Sequence, residues 1–569
     1  MHLQNPLTSA EAGDDLTGAG APFEITRVEV RGVPMKVFAR ATGTIASLFE
    51  AMASHADNDF VVEGDRRVTY AEMRALAGAM ATQMHQDFGI RAGDRVSIAM
   101  RNSAEWMQAF IAASSLGAIP ALINSRGTGD EMRFCIEDID SALVVADERR
   151  AKLLREAGFT GIIVESDSQG FRSALHGNSD ALVPVRMEDP DAPACILFTS
   201  GTTGRPKGTI LTHRAVLTSL LMSQHVAAEY LHRLMRDHKL EAGGGTTQYP
   251  QYTSLLVVPL FHVSGLHAIF LSTLARGGKI VIIPRWDAGE ALRLVEAEQI
   301  NAFSGPPTAL RDLIHNQERE RRDMSSLQSL GFGGQATPPN LLKAVKAAFP
   351  RAIVGGGYGM TETCGAISMA MGAEYSVRPE ASGRVHPLAE IRIVNDAGED
   401  QAIGETGEIW VRGPMVMAGY WGQPASGGKA LDAEGWLRTG DIGSIDADSY
   451  ITIVDRKTDM VISSGENIYC AEVERVLNQH PDIVEAAAIG MPDDRLGERL
   501  VALVITQPGC EPSEAQIKVH VGDHIASYKV PSEIVFEQQP LPRNGLGKID
   551  KRALRARELA RSRPSGEPA

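Results

Sequence analysis

From about Thr44 onward, stretches with apolar residues at helical spacing alternate with short runs that are almost wholly apolar. Strands buried on both faces by covering helices read this way, so the pattern predicts α/β architecture. Residues 95–100 and 142–146 read as strands on either side of a helix over 104–116, and Thr69 followed three residues later by Glu72 has the spacing of a capping box. A second series has strands over 194–198, 279–284 and 352–354 with helices over 213–224 and 338–348. Two α/β lobes in tandem are expected.

Beyond Glu362 the period changes. Residues 389–396, 407–413 and 449–456 alternate apolar and polar side chains, which predicts an antiparallel sheet or a small β-barrel-like region with one wet face. From Met460 helix and strand signals return, as in a small α+β domain that ends in the basic, helix-like tail 548–563. The chain therefore divides into a Gly/Ala/Asp-rich, partly disordered extension (1–43), a large N-terminal body (44–455), a hinge (456–459) and a small mobile C-terminal domain (460–569). Residues 241–252, with three glycines and a proline, read as a surface insertion between a helix and a strand.

Composition narrows the function. With 43% apolar and 22% charged residues in 569, the chain is an ordinary globular protein of several structural units. Basic residues number 56 against 71 acidic, a net charge of −15, which disfavours nucleic acid or an anionic membrane surface as a general partner. Five cysteines without a CxxC pair suggest neither a disulfide framework nor a zinc site, and fit a reducing, cytoplasmic compartment. The N-terminus lacks the basic and apolar regions of a leader, and runs such as 255–261 are far too short to span a bilayer. Oligomeric state is not legible, and a homodimer is compatible with all of this.

The densest chemical signal is TSGTTGRPKG at 199–208, placed between the strand ending at Phe198 and the helix starting near His213. Its four hydroxyls, three glycines and lysine make a donor-rich loop suited to phosphate oxygens, although by itself such a stretch is commonly a surface turn. It is not a Walker A loop, because no glycine precedes Lys207 and no Ser or Thr follows it. Five more motifs follow in order: PLFH (259–262), YGMTET (358–363), GWLRTGDIG (435–443), DRKTDMVISSGENIY (455–469) and PLPRNGLGKID (540–550).

Together these six motifs resemble those of the adenylate-forming superfamily of acyl-CoA synthetases, adenylation domains and luciferases, collinearly from about residue 45 to 555. The resemblance implies an AMP-forming acyl-CoA synthetase that uses ATP, Mg²⁺ and CoA. A carboxylic acid would give acyl-AMP and pyrophosphate, and CoA would then give acyl-CoA and AMP. It further implies that Thr199, Ser200, Gly201, Thr202, Thr203, Gly204 and Lys207 surround the phosphates, and that Gly334, Gln335 and Ala336 form a wall of the adenine and acyl pockets. Gly357, Tyr358, Gly359 and Met360 belong to the nucleotide motif, Asp441 and Arg456 to the ribose, and Ser464, Gly465 and Glu466 to the pantetheine path. Thr458 stands at the hinge position, often Asp or Lys, and Cys470 where proline is common.

The residue chemistry agrees with these assignments. Bringing a carboxylate up to a polyanion requires cationic groups round the α-phosphate, and Lys548, after Gly545 and Gly547, is a long cation on a flexible loop. Glu362 offers a hard oxygen to Mg²⁺, and Thr361 offers a hydroxyl to phosphate. Tyr358, preceded by Gly355, Gly356 and Gly357, can lay its ring on adenine, while Asp441 can accept from both ribose hydroxyls.

Residues 331–336 also fit GxGxxA, but no acid lies between Ala336 and Glu362 to serve a dinucleotide ribose. His262 would stand near the reacting carboxylate. No acid follows it at Val263, Ser264 or Gly265, which disfavours an amino-acid substrate, whose ammonium group would need a buried partner. An uncharged acid tail is expected, with Gly265, Gly305, Gly331, Gly333 and Gly334 leaving it room. Competing readings are an enzyme that loads a separate carrier protein, a luciferase-like oxygenase, and a non-catalytic nucleotide-binding module. A hydrolase has no GxSxG elbow to rest on.

Overall fold

Thr69 closes the box its spacing predicts: its hydroxyl accepts from the Glu72 amide at 3.2 Å, and the Glu72 carboxylate accepts from the Thr69 amide at 2.8 Å. The helix Tyr70–Gln86 starts there. The structure, a computed structural model, describes residues 16–41, 43–166, 189–200, 205–237, 250–333, 339–378, 380–423, 430–463, 466–543 and 548–562. It has the large mixed α/β body and small C-terminal α+β domain expected of the chain.

The two lobes are interleaved rather than tandem. One sheet has seven strands, in the order Gly419–Tyr420, Pro206–Thr212, Pro193–Ser200, Ile119–Leu122, Arg95–Ala99, Leu143–Ala146 and Ile163–Glu165. The strand at 193–200, read from the sequence as opening the second lobe, thus completes the first. The other sheet has nine strands among the described residues and takes two from the beginning of the chain, Asp59–Glu63 beside Lys279–Ile282 and Arg66–Thr69 beyond it at the edge. Local pattern reports that a strand is apolar on both faces but not which sheet receives it.

The helix Ala104–Ser115 is buried along its whole length, with Trp106 stacked on Phe110 at 5.7 Å between ring centroids. A helix buried on every side belongs inside a body, and this one packs in the main core while Glu105 pairs with Arg66 and Gln108 donates to the Leu76 carbonyl. The region expected to be barrel-like is instead an open four-stranded antiparallel sheet of Glu390–Val394, Gly407–Arg412, Leu437–Ile445 and Ile451–Arg456. Four short strands present too few partners to close on themselves.

The N-terminal extension carries a hairpin, Ile25–Val30 paired with Val33–Phe38. Arg31 and Gly32 both have positive φ, 50° and 83°, the twist that a two-residue hairpin turn requires. Phe38 and Met35 anchor it, each almost fully buried. The helix beginning at His213 runs to Asp237, well past its expected end, and residues 241–249 of the expected insertion lie outside the described residues.

In the C-terminal domain Gly497–Thr506 pairs antiparallel with Ile483–Asp493 and parallel with Glu533–Phe536, alongside Val461–Ser463 and Glu466–Ile468. Among the described residues no helix is long and apolar enough to cross a membrane.

Candidate active site

The TSGTTGRPKG motif at 199–208 begins on one strand and ends on its antiparallel neighbour. Pro193–Ser200 pairs antiparallel with Pro206–Thr212, so Lys207 stands on the return strand directly opposite Thr199. This corrects the expected strand–loop–helix, because the run from Pro206 to Thr212 is itself a strand before the helix begins at His213. Gly201, Thr202, Thr203 and Gly204 lie outside the described residues, as do Gly334, Gln335 and Ala336 and the pair Ser464 and Gly465.

Glu362 is the meeting point of three elements. It sits in the single turn Thr361–Thr363, with its own side chain and that of Thr361 buried. One carboxylate oxygen, Oε1, accepts from the Thr199 hydroxyl at 3.2 Å and from the Tyr420 hydroxyl at 2.9 Å. Burial, then the Glu362 charge, pushes the Tyr420 phenol far above its ordinary value, so it remains a proton donor. The Lys207 ammonium lies 5.1 Å over the Tyr420 ring. Among the described residues no three potential ligands cluster into an all-protein metal cage. One hard carboxylate beside hydroxyls suits Mg²⁺ that brings phosphate oxygens and water as its other ligands.

Tyr420 carries no motif spacing of its own. It reaches the site only because Gly419–Tyr420 adds to the edge of that strand pair, Tyr420 facing Thr209.

The strand Ile353–Met360 turns back into Gly365–Met371 through Thr361–Thr363 and Cys364, whose φ is +57°. The approach is so close that a Cβ on Gly359 would lie 1.9 Å from the Gly365 carbonyl oxygen. Gly357 and Gly359 are exposed and flank Tyr358, whose hydroxyl donates to Asp441 at 2.7 Å. Asp441 pairs in register with Arg456 on the neighbouring strand, and their side chains meet at 3.1 Å. Tyrosine, aspartate and arginine thus form one polar corner with the tyrosine ring as its platform.

One more cation and one imidazole complete the floor. Lys548 is carried in from the C-terminal domain to within electrostatic reach of His262, Arg456 and Asp441; burial and then Arg456 lower its pKa. His262 caps the short helix Val263–Gly265, with its Nδ1 2.8 Å from the Ser264 hydroxyl. Burial and the charge of Lys548 push the ring down to about 4, so it is neutral, and with Nδ1 accepting from Ser264 its Nε2–H is left to donate.

Asn102, which no motif announces, clamps the segment leading to His262. Its amide donates to the Val258 carbonyl at 2.8 Å and accepts from the Leu260 amide at 2.9 Å.

The glycines expected to leave room for the acyl tail divide. A Cβ on Gly265 would strike the Pro259 carbonyl at 2.1 Å and one on Gly331 the Ser304 hydroxyl at 2.8 Å, so both serve packing; one on Gly305 would crowd Phe303 at 3.2 Å and Val257 at 3.3 Å. Only Gly333 opens on free space among the four described.

The buried histidines make stability acid-sensitive. His213, which accepts from the Ile45 amide, and His267, which donates to the Cys364 carbonyl at 2.9 Å, are both lowered to about 4 by burial from an ordinary value of 6.5. The unfolded chain therefore binds protons that the native state refuses as pH falls from 6.5 toward 4, and stability drops across that window. Each histidine is expected to remove about 2 kcal/mol between pH 7.5 and 5. Urea midpoints at the two pH values check this, and His267→Gln should flatten the dependence.

The AMP-binding enzyme family matches residues 48–421, and the AMP-binding enzyme C-terminal domain matches residues 472–548. The chain is 32% identical to the indoleacetate–CoA ligase of Aromatoleum aromaticum over 86% of its own length and 92% of that protein's. It is also 32% identical to the long-chain-fatty-acid–CoA ligase FadD13 of Mycobacterium tuberculosis, over 86% of its length and 93% of the relative's. Among solved structures, the o-succinylbenzoate CoA synthetase of Bacillus subtilis with its acyl-adenylate intermediate superposes with a TM-score of 0.75 at 28% identity, over 89% of this chain and 97% of that one.

Proposed function

The chain belongs to the AMP-binding enzyme family as an AMP-forming acid–thiol ligase, and from that premise we propose that it activates a hydrophobic carboxylic acid with ATP and passes the acyl group to CoA. The observation that carries the reading is the position of Lys548. A cation from the C-terminal domain lies beside the His262 imidazole and the Asp441–Arg456 pair, where a carboxylate and a nucleotide would meet.

In this reading Tyr358 carries the adenine on its ring, and Asp441 and Arg456 hold the ribose. Glu362 holds the Mg²⁺ that arrives with ATP, which neutralises phosphate charge when bound. The His262 Nε2–H orients the acid, one of whose oxygens attacks the α-phosphorus as the bond to pyrophosphate breaks. Lys548 offsets the charge that develops on the α-phosphate oxygens. The C-terminal domain then turns about residues 456–459, the segment from Ser463 to Tyr469 lines the approach of the thiol, and attack on the acyl carbon releases AMP.

The acid's tail is apolar. Val263 and Gly265 follow His262 without an acidic partner for an ammonium group, and the open space beside Gly333 accepts carbon. The relatives named for indoleacetate and for long-chain fatty acids mark the range of tails to examine. AMP release should be measured with CoA, pantetheine or a carrier protein as acceptor, across fatty acids of graded length and aryl acids. Turnover with CoA and a hydrophobic acid is expected. Turnover with the carrier protein alone would move the function to carrier loading, and turnover confined to amino acids would overturn the tail assignment.

A further inference from the structure

Two contacts tie the C-terminal domain to the body, and none of the roles above uses them. Asp455 is the penultimate residue of the strand Ile451–Arg456, on the body side of the hinge, and is only 5% exposed. Its carboxylate accepts from the Arg456 amide at 2.7 Å and, across the hinge, from the Ala471 amide at 3.1 Å. Ala471 lies in the first turn of the helix Cys470–Leu477, whose own cap residue, Tyr469, provides no side-chain hydrogen bond. Helix-initial amides need an acceptor and carry partial positive charge, so Asp455 acts as that helix's cap from another domain. Lys551, paired with Glu474 of the same helix at 2.8 Å, adds a cation on the same side.

The second contact is on a different element. Arg311, on the helix Pro307–His315 of the body, donates through Nη1 to the Val484 carbonyl at 3.2 Å, at the start of the C-terminal strand Ile483–Asp493. Both contacts exist in the same arrangement of the domains that brings Lys548 beside His262. Rotation about 456–459 carries Ala471 and Val484 away from Asp455 and Arg311 while these two stay with the body. Each would then be solvated rather than stranded, so the free energy of both contacts favours one arrangement selectively.

We propose that Asp455 and Arg311 are positioning residues that select the adenylate-forming arrangement and release it for thiol transfer. The inference rests on the reading of the site as a two-step ligase. Neither residue touches the reacting atoms; each acts through the placement of Lys548.

The test uses the full chain and two half-reactions: acid-dependent ATP–pyrophosphate exchange, and CoA-dependent AMP release from a supplied synthetic adenylate. Lauric and indole-3-acetic acids and their adenylates serve as probes. Asp455→Ala and Arg311→Ala should each lower exchange about tenfold, the loss of one hydrogen bond to a charged group. Both should leave AMP release from the adenylate within about twofold of wild type.

Arg311→Lys should restore exchange, since an ammonium also donates to a carbonyl, and Asp455→Asn should recover part of it through its remaining acceptor oxygen. Arg311→Ala should also speed hydrogen exchange in the peptide containing Ala471, which Arg311 does not touch. Equal losses in both half-reactions, or unchanged exchange in the single variants, would overturn the proposal while leaving the ligase reading intact. A wild-type chain without any acid-dependent exchange would instead remove the ligase reading, and this proposal with it.

Discussion

Lys548→Ala should reduce acid-dependent ATP–pyrophosphate exchange by about a hundred- to a thousandfold, the usual cost of removing a preorganised donor at a site of developing charge. The same variant should convert supplied acyl-adenylate and CoA to acyl-CoA at close to the wild-type rate. The asymmetry follows from the lysine's setting. It is half-buried near Arg456 and His262, with Asp441 the nearby acid, and desolvation and Arg456 both disfavour its charge. An incoming polyanion favours that charge and binds it. In the proposed second step the C-terminal domain has turned about residues 456–459 and withdrawn this lysine, so the charge that develops on the departing AMP is left to other groups. Near-normal exchange in the alanine variant would defeat the assigned role.

Glu362→Gln should raise the Mg²⁺ concentration needed for half-maximal activity by about a hundredfold, since an amide oxygen is a far poorer ligand for a hard cation. Tyr420→Phe is the companion. It removes the 2.9 Å hydrogen bond to the same carboxylate but no ligand, and should raise the requirement by about tenfold. The two effects should combine less than additively, because both act through Oε1 and its orientation. An unchanged Mg²⁺ titration in Glu362→Gln would contradict the assignment. A full effect in Tyr420→Phe would mean that the hydroxyl itself meets the nucleotide.

Legibility in the sequence followed locality. The Thr69 box, the period-two strands after Glu362 and the helix over 104–115 all depend on neighbours within a few residues, and each stands in the structure close to its expected bounds. The hairpin at 25–38 was equally local, but its turn signal, Arg31–Gly32, lacks the asparagine or aspartate that usually announces such turns. Where a residue's use depends on a partner far along the chain, the sequence was silent or misleading. Gly265 reads as free space and is filled by the Pro259 carbonyl; Lys207 reads as a loop lysine and stands on a strand.

The candidate site divides the same way. The amino-acid sequence by itself determined the chemical inventory: a hydroxyl- and glycine-rich stretch, a carboxylate suited to Mg²⁺, an aspartate and an arginine suited to one sugar, and a lysine on a glycine-flanked loop. These are identities at fixed spacings, and spacing survives in one dimension. Only the tertiary structure decided that Thr199, Glu362 and Tyr420 share one oxygen, that Asn102 holds the approach to His262, and that Asp455 caps a helix beyond the hinge. Those relations join residues as many as 163 positions apart, and no local pattern encodes them. They arise because two interleaved sheets bury their apolar faces together and a small domain with its own core docks on them, so the polar groups at the seam must find their partners there.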